Sequence, residues 1–428
     1  MANINFRMKK IIRACTVSLS VGFVAGMLPD LMKKYEVVLL SSPGPEMDEA
    51  HEKYGVRTIE VPMERHISLK RDIVSLWRLI KVFRKERPDM VHSMTPKAGL
   101  LCMVAGWLTR VPVRIHTFTG LVFPTATGLQ RRILMATDAL TCFCATHVIP
   151  EGEGVKSDLL NNGITKKPLK VLGYGNVMGI DMKRFDPKRF NRNGNGNDNE
   201  TLRYENENGN GNGNDNETLR YENENGNGNE TFDFLFVGRI VRDKGMNELM
   251  AAFDLLSKKY PQARLVLVGP YENSLDPVSD ETRRIIKDNP AIEAVGTKRG
   301  DDLLAYYAAA DCFVFPSYRE GFPNTVIEAG AMGLPCIVTD INGSREIIVN
   351  GNGNVNGNGS VVVKDNGLII PSKDTEALYL AMEMMMTDED MRQRMASCAR
   401  QMIADRFEQG FVRRCLYDFY DEIIERER

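Results

Sequence analysis

Runs suited to β-strands alternate with runs suited to helices along this chain, and the alternation occurs twice. In the first half, "YEVVLLSS" reads as a strand. "SLKRDIVSLWRLIKVFRKER" reads as a helix with Ile73, Leu76, Trp77, Ile80 and Phe83 on one side. "MVHSM", "VRIHTFTG" and "THVIPE" follow as strands, with the helical "QRRILMATDALTCF" between the last two. The second half repeats the rhythm through "FDFLFVGR", "MNELMAAFDLLSKK", "ARLVLVGP", "DDLLAYYAAA" and "CFVFPS". Such alternation requires parallel sheets covered by helices on both faces. The expectation is therefore an α/β protein of two doubly wound, Rossmann-like domains facing each other across a cleft, with ligands at the carboxyl ends of the strands. The last helical stretch, from Met391 onward, is long enough to break near Gly410 and pack back on the first domain.

Two segments stand outside this rhythm. "NGNGNDNETLRYENENG" at 193–209 is repeated without change at 210–226, and "NGNGNVNGNGS" occupies 350–360. Stretches of Asn, Gly and Glu have too little apolar surface to fold, so both read as flexible loop expansions. The boundaries expected are residues 1–185 for the first domain, 186–230 for the insertion, 231–404 for the second domain and 405–428 for the returning helix. Near the start, "KKIIRACTVSLSVGFVAGMLPD" has the outline of a signal peptide. Arg13 interrupts its apolar run and the run is too short to span a bilayer, so a first strand, a glycine-bearing loop and a helix start fit better.

Net charge is −2 over 428 residues, but it is unevenly distributed. Residues 1–190 hold 29 Lys and Arg against 17 Asp and Glu, and the remainder is acidic. A basic half suits an anionic partner. With no nucleic-acid-binding motif present, a membrane surface is preferred, with Arg71, Arg78, Lys81, Arg84, Lys85, Arg131 and Arg132 as its candidates. Eight cysteines without a C-x-x-C pair or a Cys/His cluster argue against a disulfide framework or zinc site and favour a reducing cytosol.

The chemistry concentrates in the second half. In "REGFPNTVIEAG", Glu320 falls in a turn after a strand and Glu328 one to two turns into the next helix, so the two can face one pocket from different elements. The turn leads into a helix whose amides and dipole suit an anion. "FLFVGRIVRDKG" places Gly238 and Arg239 at a strand's carboxyl end with Lys244 shortly after, two cations suited to a diphosphate.

These residues carry a resemblance. "PSYREGFPNTVIEAGAMGLPCIVTDINGSREI" resembles the signature of family 4 glycosyltransferases, a retaining GT-B class with an E-x7-E motif. "VGRIVRDKG" matches the family's G-R…K-G element, and "GNVMGIDMKRFDP" resembles its interdomain segment at Gly179, Asp181 and Phe185. The first half, through "RPDMVHSMTPKAGLL" and "VPVRIHTFTG", is similar to bacterial enzymes that build capsule, O-antigen and exopolysaccharide. The resemblance implies that Arg239 and Lys244 bind the donor's diphosphate, Glu320 meets the sugar near its anomeric carbon and Glu328 holds the ribose. Gly238, Gly321, Phe322, Pro323, Asn324 and Thr325 would complete the donor site. His116 matches a histidine that relatives turn toward the sugar. His92, Thr95 and Lys97, expected in a strand-end loop, are acceptor candidates.

The implied reaction moves a sugar from a nucleotide diphosphate sugar, preferably a UDP-sugar, to a polyprenyl-diphosphate-linked saccharide at the inner face of the cytoplasmic membrane. No metal or other cofactor is implied. The only D-x-D match, "DED" at 388–390, reads as a helix start. The second insertion splits a stretch that relatives keep continuous, between Ile348 and Asn366, but removes no motif residue. The rival readings are a sugar-nucleotide epimerase or hydrolase on the same plan, an inactive nucleotide-sugar binder and, weakest, a nucleic-acid binder. The paired glutamates argue against the first, and the intact Arg239, Lys244, Glu320 and Glu328 against the second.

Overall fold

A computed structural model describes residues 7–64, 68–190, 231–272, 276–349 and 359–426. Most of the long insertion, and all of the short one except Gly359 and Ser360, therefore lie outside the described residues. By its contacts the chain divides into two units: 1–179 with Glu320–Phe322 and Gln409–Arg428, and Ile180–Arg319 with Pro323–Glu408.

Unit 1 is built on strands β1 (Lys10–Ala14), β2 (Glu36–Ser41), β3 (Arg57–Glu60), β4 (Met90–Met94), β5 (Val113–Phe118) and β6 (His147–Pro150). Its helices are α1 (Gly22–Ala25), α2 (Leu28–Lys34), α3 (Pro45–Tyr54), α4 (Leu69–Glu86), α5 (Pro96–Leu108), α6 (Gly128–Cys144) and α7 (Glu153–Asn161). The sheet runs β3-β2-β1-β4-β5-β6, with every pairing parallel. β1, β2 and β4 are almost wholly buried because helices cover both faces, which is why they read as unbroken apolar runs. One face carries α4, α5 and α6. The other carries α1 to α3 and the last helix, α15 (Gln409–Arg426), whose Leu416, Phe419, Tyr420 and Ile423 join the core beneath β1 and β4.

One expectation is overturned here. The buried side of α4 is Ser75, Leu79, Phe83 and Glu86, while Ile73 and Trp77 are exposed and Leu76 and Ile80 flank the core. The helix carries apolar residues around more than half its circumference, so periodicity alone admits two faces. The sheet takes the one that also lets Glu86 pair with Lys10 and Arg57.

Unit 2 holds β7 (Phe232–Val237), α8 (Met246–Lys259), β8 (Ala263–Val268), α9 (Asp280–Asp288), β9 (Ile292–Gly296), α10 (Gly300–Ala309), β10 (Cys312–Phe315) and α11 (Asn324–Ala331). It continues with β11 (Cys336–Thr339), α12 (Ser344–Ile347), β12 (Val362–Lys364), β13 (Gly367–Ile370), α13 (Thr375–Thr387) and α14 (Glu389–Phe407). The sheet order is β12-β13-β11-β10-β7-β8-β9, parallel except for the edge strand β12. Strand order reverses between β7 and β10, the position at which open α/β sheets leave a crevice at their carboxyl edge. The chain breaks between α14 and α15 at Glu408, two residues before Gly410. "DED" is a helix start: Asp388 caps α14 by accepting from the Met391 amide at 2.9 Å.

Candidate active site

At the switch point of unit 2 the G-R…K-G element meets residues 316–319, which follow β10 and precede Glu320. β7 is followed by Gly238, whose amide donates to the Val268 carbonyl at 2.9 Å, while Gly269 (φ 146°) packs so tightly that a side chain there would overlap the Gly238 carbonyl. Past Arg239 the chain makes a 3₁₀ turn over Arg242–Lys244 and reverses at Gly245, whose φ of 73° lies in the left-handed region. A side chain on Gly245 would overlap the carbonyl of Pro316, directly after β10. The two loops are then stitched together: the Tyr318 amide donates to the Asp243 carbonyl at 2.8 Å, and Ser317 Oγ to the same oxygen at 3.2 Å. Lys244 Nζ lies 5.1 Å from the centre of the Phe315 ring. Arg239 is exposed and ion-paired with Glu272.

From Ser317 the chain turns through the "EGFP" stretch into α11. That helix starts without a side-chain cap hydrogen bond and with no acidic residue in its first turn, so the positive end of its dipole at Asn324 and Thr325 is not offset from within that turn. Glu328 sits one turn in. Its carboxylate accepts from the Tyr307 hydroxyl at 2.9 Å. Burial pushes the Glu328 carboxyl up to about 7, against the opposing pull of that hydrogen bond and of the positive charge of Arg184. This leaves a carboxyl poised near neutrality in the helix that follows β10.

Neither Tyr307 nor Arg184 was anticipated from sequence. Tyr307 is a fully buried residue of an apolar helix, and nothing in "DDLLAYYAAA" distinguishes it from core. Arg184 lies in the "DMKRFDP" segment, whose role only the folded chain reveals. Asp181 accepts there from the amides of Lys183 and Arg184, and Arg400 of α14 donates to the carbonyls of Met182, Phe185 and Ala331. One guanidinium thereby binds that segment to the end of α11.

In unit 1, His116 is the fourth residue of β5 and is fully enclosed. Ser93 Oγ meets its Nδ1 at 3.0 Å, Phe118 packs edge-on, and the ring leaves no room for a side chain at Gly99. Burial lowers its pKa to about 3, so the imidazole is neutral. Gly321 lies against the Thr119 carbonyl just past the same strand, where a Cβ would not fit, and Phe322 is buried. Glu320 stands between Arg319, which reaches Asp243 at 3.3 Å, and Gly321.

His92 is not in a loop, as expected, but inside β4. Its Nδ1 is 2.7 Å from Arg13 and 2.5 Å from the Tyr420 hydroxyl, and its Nε2 is 2.7 Å from Thr117 Oγ1. Its pKa is driven down, first by burial and then by the Arg13 charge, so it serves as a neutral strut between the sheet and α15. Thr95 is the residue before α5, at φ 72°, and its hydroxyl accepts from the Thr16 amide at 3.0 Å. Lys97 is partly buried in a pair with Asp72 of α4 at 2.6 Å. These three residues tie elements of unit 1 together.

The short insertion leaves the surrounding fold closed. Asn366 accepts from the Val349 amide at 3.0 Å and donates to the Ile347 carbonyl at 3.1 Å, joining the two flanks of residues 350–358. All eight cysteines are free thiols. No helix among the described residues is long and apolar enough to cross a membrane.

Comparison with known proteins shows the family and the fold. Residues 218–402 match the family model for glycosyl transferases group 1, and residues 28–175 match that of the glycosyl transferase 4-like domain. The chain is 30% identical over 420 residues to the capsular polysaccharide biosynthesis glycosyltransferase CapM of Staphylococcus aureus, covering 97% of this chain and 98% of that one. It is 28% identical over 302 residues, 69% of each chain, to the Escherichia coli UDP-Gal:alpha-D-GlcNAc-diphosphoundecaprenol alpha-1,3-galactosyltransferase. Anabaena HepE, solved with UDP-glucose, shares the fold with a TM-score of 0.71 at 15% identity, covering 96% of this chain and 99% of that one. Two parallel-sheet Rossmann-like units with these family matches establish that the chain belongs to the group 1, family-4-like glycosyltransferases of GT-B fold.

Proposed function

We propose that the protein transfers a sugar from a nucleotide diphosphate sugar, preferentially a UDP-sugar, to a polyprenyl-diphosphate-linked saccharide, with retention at the anomeric carbon, in the synthesis of a capsule-type surface polysaccharide. The observation that carries this reading is the stitched pair of loops at the unit 2 switch point, which joins the Arg242–Lys244 turn to the segment between β10 and α11, the helix that holds the near-neutral Glu328. In this reading Lys244 and Arg239 take the charge that develops on the departing diphosphate, with the main-chain N–H groups of Gly321, Phe322, Asn324 and Thr325 completing the cradle and Gly238 letting it approach. Cations fixed in this way do the work that a divalent ion does elsewhere, so no metal is invoked. Glu328 accepts from the ribose diol. Glu320 positions the sugar and stabilises charge at its anomeric carbon. The galactosyltransferase supports the acceptor class by its name and CapM supports the capsule-type product by its own, and such an acceptor suits a reaction at the cytoplasmic face of the inner membrane.

The test is a screen of UDP- and GDP-sugars for protection against thermal unfolding, followed by transfer to lipid-extract acceptors with the product's anomeric configuration read by NMR. A UDP-sugar that both protects and is consumed only with acceptor present is the expected result. Nucleotide release at full rate without any acceptor would overturn it in favour of a hydrolase or epimerase.

A further inference from the structure

The helices α4, α5 and α6 lie side by side on one face of the unit 1 sheet, and each carries large apolar residues exposed on its outward side. On α4, Ile73 and Trp77 stand one turn apart and are 66% and 56% exposed. On α6, Leu129, Ile133, Leu140 and Phe143 follow helical spacing along the side opposite the core, with Leu129 73% and Phe143 64% exposed. Between them α5 has no charged residue from Ala98 to Leu108 and ends in the exposed Trp107, whose ring centre lies 6.2 Å from that of Phe143. An amphipathic helix needs one apolar side to enter a core; a second on the solvent side is unpartnered surface.

The charge around this surface selects its partner. Lys70, Arg71, Arg78, Lys81, Arg84 and Lys85 are all exposed on α4. The acids of that helix are already engaged, Asp72 by Lys97 and Glu86 by Lys10 and Arg57, and nearby Glu64 pairs with Arg71. α6 adds Arg131 and Arg132 against a single acid, Asp138, whose carboxyl burial raises to about 7. A second copy docked by the same face would set this basic rim against itself. An anionic bilayer matches both parts, since headgroup phosphates pair with Lys and Arg while tryptophan and aliphatic side chains enter the interfacial layer.

We propose that the α4–α5–α6 face of unit 1 seats on an anionic lipid surface, with Ile73, Trp77, Trp107 and Phe143 entering the interface and the bases of α4 and α6 on the headgroups. This inference deepens the proposed lipid-linked acceptor by naming the surface that meets the lipid, and its test needs no sugar donor. The chain has 2 tryptophans, Trp77 and Trp107, and both lie on this face, so intrinsic fluorescence reports on it alone.

The full chain is mixed with vesicles of pure phosphatidylcholine, or with vesicles in which about a third is phosphatidylglycerol. Flotation and tryptophan emission are then read. Binding to the anionic vesicles with a blue shift, weakened by salt, is expected. Ile73→Ser with Phe143→Ser, and separately Arg78→Glu with Lys81→Glu, should each weaken binding about tenfold or more while the unfolding temperature stays at the wild-type value. Several results would overturn the proposal: no binding, binding without a tryptophan shift, wild-type binding by both variants, or a concentration-dependent blue shift without vesicles, which would mark self-association instead. Lost vesicle binding with donor protection intact removes this inference alone. Lost donor protection with vesicle binding intact removes the nucleotide-sugar reading and leaves this one standing.

Discussion

Glu328 ties stability and ligand binding together in one side chain. Its folded-state pKa of about 7 lies above the 4.5 of a free glutamate, so its contribution to stability is full below the lower value and is lost as pH rises through the upper one. Glu328→Gln should therefore stabilise the free protein above neutrality by about 1–2 kcal/mol and change little in mild acid, read as unfolding temperature against pH. A ribose diol that donates to the carboxylate favours its ionised form. Donor binding should then strengthen with pH up to about neutrality and release a proton at about pH 6, measurable by calorimetry in buffers of different ionisation heat. Absence of proton release would remove Glu328 from the ribose. Tyr307→Phe takes away the hydrogen bond that restrains this carboxyl, so the midpoint should move up and neutral-pH affinity should fall, with recovery in mild alkali. His116 is neutral throughout this range and contributes no titration of its own. Lys244→Ala should lower kcat by about 10²–10³ with a smaller effect on donor KM, since its charge is needed most as the diphosphate departs. Equal losses in both would recast it as a ground-state anchor.

At the level of elements, the site depends on two loops that must touch. Gly245→Ala would force a side chain against the Pro316 carbonyl at a positive φ, and should cost about 2 kcal/mol or more, read as a fall in unfolding temperature together with weakened donor protection. The loops themselves were legible. "FLFVGR" and "CFVFPS" are buried parallel strands that end in glycine, proline and serine, and turn residues mark the places where a sheet edge opens. What sequence could not settle was which of several compatible contacts a side chain would take. α4 offered two apolar sides, and the presence of Glu86 among its buried residues was decided by Lys10 and Arg57 from distant strands. His92 read as a cleft residue because a histidine near a strand end suggests chemistry, yet Arg13 and Tyr420, the latter 328 positions away, turn it into a strut. Tyr307, Arg184 and Arg400 left no local signal because their partners meet them only through the fold.

Taken whole, the molecule is two sheets of the same kind with cores of their own, and the halves differ in sign of charge. A saturating UDP-sugar should slow hydrogen exchange at 238–246 and 316–330 and leave β4 unchanged. At about a hundredfold over its Kd it should add about 2.7 kcal/mol to the stability of whatever binds it. Protection confined to unit 1 would contradict the donor assignment. The Asn366 bridge has a consequence for how such a chain can vary in length. Because its amide already holds Ile347 and Val349 on one side and the start of β13 follows on the other, whatever lies between 350 and 358 is appended to a circuit that is closed without it. Trimming those positions to a brief glycine-serine connector should leave the melting point nearly unmoved, and a whole foreign domain could be spliced in at the same place.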